Sequence, residues 1–216
     1  GWLIIKAARE YGVRALGVTL SEEQYKGVQE RIAELGLEKQ VDVKLASYLD
    51  LADKPQFDKI VSVGMFEHVG KANLAKYMNK VNKLLMAGGL FLLHTITHMK
   101  EHVPGNPWLR KYIFPGGYVP SLRETVWLLP EYNFQLLQAE SLRMHYAMTI
   151  DCWYKNFCQQ VDAIQAKFGK RFVRMWSLYL RSCAASFRVS GLNVHQILVS
   201  KGLNNELPLT FEHVYT

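Results

Sequence analysis

Short apolar runs alternate with stretches of helical periodicity through the first half of the chain, and strands linked in that way pair in parallel with helices on both faces of the sheet. Leu3, Ile4, Ala7, Ala8 and Tyr11 recur at helical spacing, Gly12 closes that helix, and RALGVTL follows as a β-run. Ser21 is placed to cap the next helix with Gln24 as its capping-box partner, and Gly36 stops it. VDVKLA and FDKIVSV are further strands, and a helix from about Ala72 to Leu85, a turn at AGG and the strand LFLLHTI complete the alternating part. From Thr97 to Gly117 the alternation lapses into a Pro- and Gly-containing segment too long for an ordinary connection, which reads as a functional loop or lid. SLRE, just beyond it, is another capping box. The remainder predicts a strand from about Phe134 to Met144, a helical region from about Ile150 to Val189 broken near Gly169, and a last strand, VHQILVS.

The 216 residues are enough for one substantial core, and predict a single domain over 1–216 with the lid inserted at about 97–120. An excess of 26 Lys and Arg over 19 Asp and Glu, a net +7, favours anionic partners. No motif points to nucleic acid, and the aromatics are not interleaved with basic residues as on a stacking platform, so nucleic acid is not expected among them. Cys152, Cys158 and Cys183 are odd in number, form no metal-ligand pattern and lie in apolar contexts, which predicts reduced core thiols in a cytosolic protein and no bound metal. No apolar run has the length of a membrane span. The opening GWLIIKAARE has no charged lead, cleavage site or initiator Met and reads as a fragment of a longer chain.

In an open parallel sheet the ligand sits beyond the carboxyl ends of the strands. VSVGMFEHVG ends an apolar strand with Glu67 and His68 just past the turn, and His94 falls at the same sheet edge on LFLLHTI. His94 and Ile96 are two apart on that strand and share a face, while Thr95 points the other way. Taken singly, Glu67 fits a residue at a helix start and His94 a hydrogen-bonded core histidine. Together at one edge they point to a site.

GVTLSEEQ, VSVGMFEHVG, LLHTI, YIFPGGYVPS and the Tyr-containing stretch before CWYKNF occur in an order that closely resembles the cyclopropane-fatty-acyl-phospholipid synthases and the related mycolic acid cyclopropane synthases, over almost the whole chain. The resemblance implies a Rossmann-like S-adenosylmethionine-dependent methyltransferase fold, whose first strand and glycine-rich loop would precede Gly1. It implies a reaction in which S-adenosylmethionine methylates the cis double bond of an unsaturated phospholipid acyl chain, and loss of a proton to a bound bicarbonate ion closes a cyclopropane ring. Glu67 would accept the hydrogen bond of the bicarbonate hydroxyl, and His94, the Ile96 amide and the Tyr146 hydroxyl would hold its oxygens. Tyr146 also offers a π-face to positive charge, and His68 orients the turn.

The same resemblance places Gly1, Thr19, Leu20, Gln24, Tyr48 and Leu49 at the cofactor, and Tyr112, Phe114, Gly116 and Tyr118 along an acyl channel in the lid. Lys167, Lys170, Arg171, Arg174, Arg181 and Arg188, spread through the late helices, fit either a solvated face or docking on an anionic leaflet at the cytoplasmic side of the membrane. Pairing with a second copy of the chain is left open. Two other readings are a methyltransferase acting on another lipid or a small amine, and a lipid- or partner-binding remnant without catalysis.

Overall fold

Helix and strand alternate through Gly1–Asp53, the first of two compact units in the computed structural model, which describes residues 1–101 and 103–212. This unit holds α1 (Trp2–Tyr11), β1 (Ala15–Thr19), α2 (Glu22–Glu34), β2 (Val41–Leu45) and a 3-10 turn at Tyr48–Asp50. Helix α1 stops at Gly12, whose left-handed φ of 65° returns its N–H to the Ala8 carbonyl. β1 and β2 pair in parallel from Ala15↔Val41 to Thr19↔Leu45. Ile5 and Ala8 of α1, Val28 and Ile32 of α2, and Val41 and Val43 of β2 form the core of the unit. Ser21 caps α2 through the Gln24 amide, as expected, but the reciprocal half of the box is absent because the Gln24 side chain binds the Thr19 hydroxyl instead.

The second unit, Lys54–Thr216, contains β3 (Phe57–Val63), α3 (Leu74–Leu84), β4 (Leu85–His98), α4 (Pro107–Tyr112), α5 (Leu122–Glu131), β5 (Phe134–Ser141), α6 (Arg143–Gln159), α7 (Val161–Val189) and β6 (Leu192–Lys201). Its four strands run in the order β3-β4-β6-β5. β3 and β4 are parallel, whereas β6 is antiparallel to both β4 and β5, so β6 alone reverses the common direction of this sheet. On β4, Phe91, Leu93, Thr95 and Thr97 are buried on one face, and His94 and Ile96 alternate with them on the other. The first face continues into a line of rings, Phe66, Tyr77, Phe91 and Phe134. Ile96 packs on a separate cluster built by α6, α7 and Val194.

Several expected boundaries move. The anticipated AGG turn lies inside β4 as a bulge: Phe57 pairs with Leu85 but Lys59 with Leu90, and Gly88 takes φ 73°. β5 ends at Ser141, not Met144, and α6 begins at Arg143, not near Ile150. Its start is held from afar, since Arg143 Nη1 donates to the carbonyls of Phe187 (2.6 Å) and Arg188 (3.1 Å). The late helical region breaks at Gln160 as well as at Gly169, where φ is 81°. Cys152 and Cys158 are exposed on α6, and Cys183 is half-buried, which corrects the expectation of three core thiols. The lid contains α4, capped by Asn106, and is clasped at its base by His98 N–H to Pro120 O (2.8 Å) and Met99 N–H to Gly191 O (2.7 Å). Among the described residues no helix is long and apolar enough to cross a membrane.

The bulge gives a direct test. A Cβ at Gly89 would lie 2.8 Å from the Asp58 carbonyl oxygen and 2.9 Å from the Met86 oxygen, both backbone atoms. Gly89→Ala is expected to destabilise the protein by about 1–3 kcal/mol, as overpacking does, read from the urea midpoint at constant slope. An unchanged midpoint would show that β3 and β4 separate freely at the bulge.

Candidate active site

β3 ends at Val63, Gly64 turns at φ 61° with its N–H on the His94 carbonyl (2.9 Å), and the 3-10 turn Phe66–His68 then carries Glu67 inward. Glu67 is 6% exposed. Its Oε1 accepts from the Ile96 amide at 2.6 Å, and its Oε2 is buried without a hydrogen-bond partner. Helix α3 starts seven residues further on, at Leu74, with no acidic residue in its first turn, so Glu67 belongs to the first turn of the short 3-10 helix and not to that of α3. The carboxyl is instead held across to the neighbouring strand. From below, the Tyr118 N–H donates to the Glu67 backbone carbonyl at 2.9 Å, tying the lid to the same turn.

His94 and Tyr146 stand near this carboxyl and both feel it. Burial lowers the proton affinity of His94, with Glu67 opposing it, and leaves a neutral imidazole at neutral pH. Tyr146, on α6, lies edge-on to Phe187 (5.0 Å between centroids) and Trp153 (5.9 Å). Burial raises its phenol, and the Glu67 charge, with that of Cys183 once ionised, raises it further. Burial pushes the Cys183 thiol up to about 11. A second histidine, His195, is likewise lowered by burial and bonds Thr97 Oγ1 through Nδ1 at 2.7 Å, on the opposite face of the sheet.

The lid brings some predicted channel residues to this place and not others. Phe114 lies edge-on to His68 (5.7 Å) and to Tyr179 of α7 (5.8 Å). From Tyr179 the rings continue through Trp176 (5.0 Å), Phe172 (5.8 Å, stacked) and Phe168 (4.9 Å) along α7. That stripe was not singled out from the sequence, although its spacing of three and four is visible there. Gly116 takes φ 74° in the turn that follows Phe114, where a side chain would be strained. Tyr118 gives its hydroxyl to Glu124 Oε1 (2.6 Å), and its ring faces Lys71. Tyr112 lies away from these, 41% exposed, against Trp108 and beneath the Lys111 ammonium. Gln196, also unremarked in the sequence, has its amide nitrogen 3.3 Å from His94 Nδ1.

In the first unit the expected cofactor residues gather at the carboxyl ends of β1 and β2. Thr19 closes β1 and gives its hydroxyl to Gln24 Oε1 at 2.8 Å, which leaves the amide nitrogen as the donor of that side chain. Leu20 is 77% exposed just beyond. After β2, Ser47 caps the turn holding Tyr48 and Leu49, with Ser47 Oγ accepting from Leu49 N–H and Asp50 answering to Ser47 N–H. Gly1 caps α1 and sits against Val28.

Strands of this order with one reversed strand, flanked by helices, make up the Rossmann-like fold of S-adenosylmethionine-dependent methyltransferases. The structure matches mycolic acid cyclopropane synthase CmaA1 complexed with SAH and CTAB at a TM-score of 0.86 and 30% identity, over 93% of this chain and 74% of that one. The profile of the mycolic acid cyclopropane synthetase family matches residues 1–197. The chain belongs to that family. It is 40% identical over 209 residues to the cyclopropane-fatty-acyl-phospholipid synthase of Escherichia coli (strain K12), covering 96% of this chain and 53% of the relative. It is also 40% identical over 227 residues to a probable fatty acid methyltransferase of Pseudomonas putida, covering 100% of this chain and 57% of the relative. The chain thus spans about half the length of these curated relatives.

The two lowered histidines fix a pH dependence. A base whose proton affinity is lower when folded stabilises the fold above its unfolded-state value and withdraws that support as pH falls through it. The denaturant midpoint is therefore expected to drop as pH is lowered from about 7 to about 5, across the free imidazole value of about 6.5. His94→Gln and His195→Gln should each flatten the slope. A midpoint that rises with acidification would reverse the sign assigned to both.

Proposed function

We propose that the protein transfers a methylene from S-adenosylmethionine to the cis double bond of an unsaturated phospholipid acyl chain, forming a cyclopropane ring. The observation that carries this reading is the buried Glu67 carboxyl, bonded at Oε1 and lacking a donor at Oε2, beside His94 and Tyr146. A bicarbonate ion fits that want, because its hydroxyl is a donor and its other oxygens are acceptors. When bound, it supplies a mild base for the proton lost on ring closure.

The chain's own residues divide the work. The Ile96 amide was expected to hold an oxygen of the ion, but its one N–H goes to Glu67 Oε1, so its role here is to fix the carboxyl. Glu67 Oε2 then accepts from the ion's hydroxyl, and His94 and the Tyr146 hydroxyl remain as donors to its oxygens. Phe114 and the rings of α7 exclude water and line the acyl path. Thr19, Leu20, Gln24, Tyr48 and Leu49 hold the cofactor, with Gly1 at its methionine end.

Charge supports a substrate presented at a membrane surface. Lys167, Lys170, Arg171 and Arg174 are exposed around Phe168, itself 54% exposed at the Gly169 break. Arg181 and Arg188 are engaged in the fold, the first over the Tyr154 ring and the second with Asp151. Each basic side chain near an anionic leaflet contributes about 1 kcal/mol, which supports peripheral docking on the cytoplasmic face of the membrane. A second reading, methylation of the acyl chain without ring closure, is favoured by the Pseudomonas putida relative. Proton NMR of the lipid product separates them by the high-field ring methylene.

Glu67→Gln is expected to lower ring formation by about 10²–10⁴, the range of lost acid–base assistance, with cofactor affinity within a few fold and partial recovery in added bicarbonate. A folded variant working at the wild-type rate in bicarbonate-depleted buffer overturns the reading. Phe114→Asp places a charge that is costly to desolvate in the acyl path. It should abolish phospholipid turnover while cofactor binding, measured by calorimetry, stays within a few fold; unchanged turnover puts Phe114 outside the path.

A further inference from the structure

His94 on β4 stands directly opposite Gln196 on β6 in the antiparallel ladder, and the Gln196 amide nitrogen is 3.3 Å from His94 Nδ1. An amide nitrogen can only donate, so Nδ1 accepts and carries no proton. The ring is neutral, as its burial dictates, and its one proton is therefore on Nε2. A neutral imidazole with the opposite tautomer would present a lone pair at Nε2 and repel an anion's oxygen.

We infer that Gln196 is a positioning residue that selects the Nε2–H tautomer of His94 and so makes the imidazole a donor to an anion bound beside Glu67. This rests on the bicarbonate reading above. The arrangement is preorganised, because β6 is held on both sides, by β4 and by β5, and neither ring nor amide is carried on a loop. The other titratable groups around the pair are Glu67 from the turn after β3, which acts on His94; Tyr146 of α6, coupled to Glu67; Cys183 of α7, coupled to Tyr146; and Glu140 of β5, opposite Gln196 in register. A glutamine fits where a glutamate would not. A carboxylate at this position would accept from Nδ1–H, invert the tautomer and raise the imidazole's proton affinity.

The test is ¹⁵N NMR of histidine-labelled protein, with the His94 signals assigned among the seven histidines by their loss in His94→Gln. The wild type is expected to show an Nε2–H ring at neutral pH. Gln196→Glu, close to isosteric, should invert it to Nδ1–H and raise its titration midpoint. Ring formation should fall in kcat by about 10–100-fold, the cost of removing the group that orients a ligating histidine, with KM for S-adenosylmethionine unchanged. Gln196→Leu should give mixed tautomers and a similar loss. An Nδ1–H ring in the wild type, a tautomer indifferent to Gln196→Glu, or inversion with unchanged kcat each overturns the inference. Failure of the bicarbonate reading shows separately, as a wild-type rate for folded Glu67→Gln, and leaves the wild-type tautomer as found.

Discussion

A carboxyl group taken out of water needs hydrogen-bond donors, and the cost of leaving one oxygen without them is about 1–3 kcal/mol or more. Glu67 meets half of that need through the Ile96 amide at 2.6 Å. This single bond spans two strands and explains much of what surrounds it. The turn after β3 must swing inward, which Gly64 permits with its left-handed backbone. The face of β4 that bears His94 and Ile96 must be covered by something apolar, and α6 and α7 do so around Ile96, Tyr146 and Phe187. The segment after α4 is tied to the same turn through the Tyr118 amide. The half left unmet, at Oε2, is what the proposed function draws on, since a buried carboxylate oxygen without a donor has room for one brought by a ligand.

Much of this was legible in the chain. FDKIVSV is β3 residue for residue, Ser121 and Glu124 form the box that SLRE promised, and Gly169 breaks α7 where expected. The alternation of LFLLHTI placed His94 and Ile96 on one face. What the sequence withheld is what long-range pairing decides. An apolar run does not encode its direction, so the reversal of β6 was invisible. AGG reads as a turn because glycines serve bulges and turns alike, and only the register slip from Phe57↔Leu85 to Lys59↔Leu90 separates the two. The start of α6 depends on Arg143 reaching carbonyls 44 and 45 positions away. Tyr146 entered by family resemblance alone, and Gln196 not at all, because its partner is 102 residues distant.

The lid shows how local chemistry and tertiary contact share a task. Asn106 caps α4 and Ser121 caps α5, both readable from side-chain type, and these fix the ends of the segment. Between them the residues that matter are sorted by contact. Phe114 meets His68 and Tyr179, whereas Tyr112, two positions earlier, stays half outside. Family resemblance set both rings along one acyl channel; the fold brings Phe114 against α7 and leaves Tyr112 apart from it.

Burial holds three groups near Glu67, namely His94, Tyr146 and Cys183, in their neutral forms. His94 is lowered, Tyr146 raised, and the Cys183 thiol pushed up to about 11. For the proposed chemistry that neutrality is as important as the donors themselves. A methyl sulfonium and the cation left on an alkylated alkene are both electrophiles, and a thiolate beside them would be consumed, because the thiolate and not the thiol is the nucleophile. Burial keeps Cys183 as the thiol, whereas Cys152 and Cys158, exposed on α6, have no such shield. A neutral phenol and a neutral imidazole donate hydrogen bonds without attacking. On the proposed function, the same desolvation that makes such a site expensive to build would leave an anion beside Glu67, His94 and Tyr146 as the base best placed to take the proton.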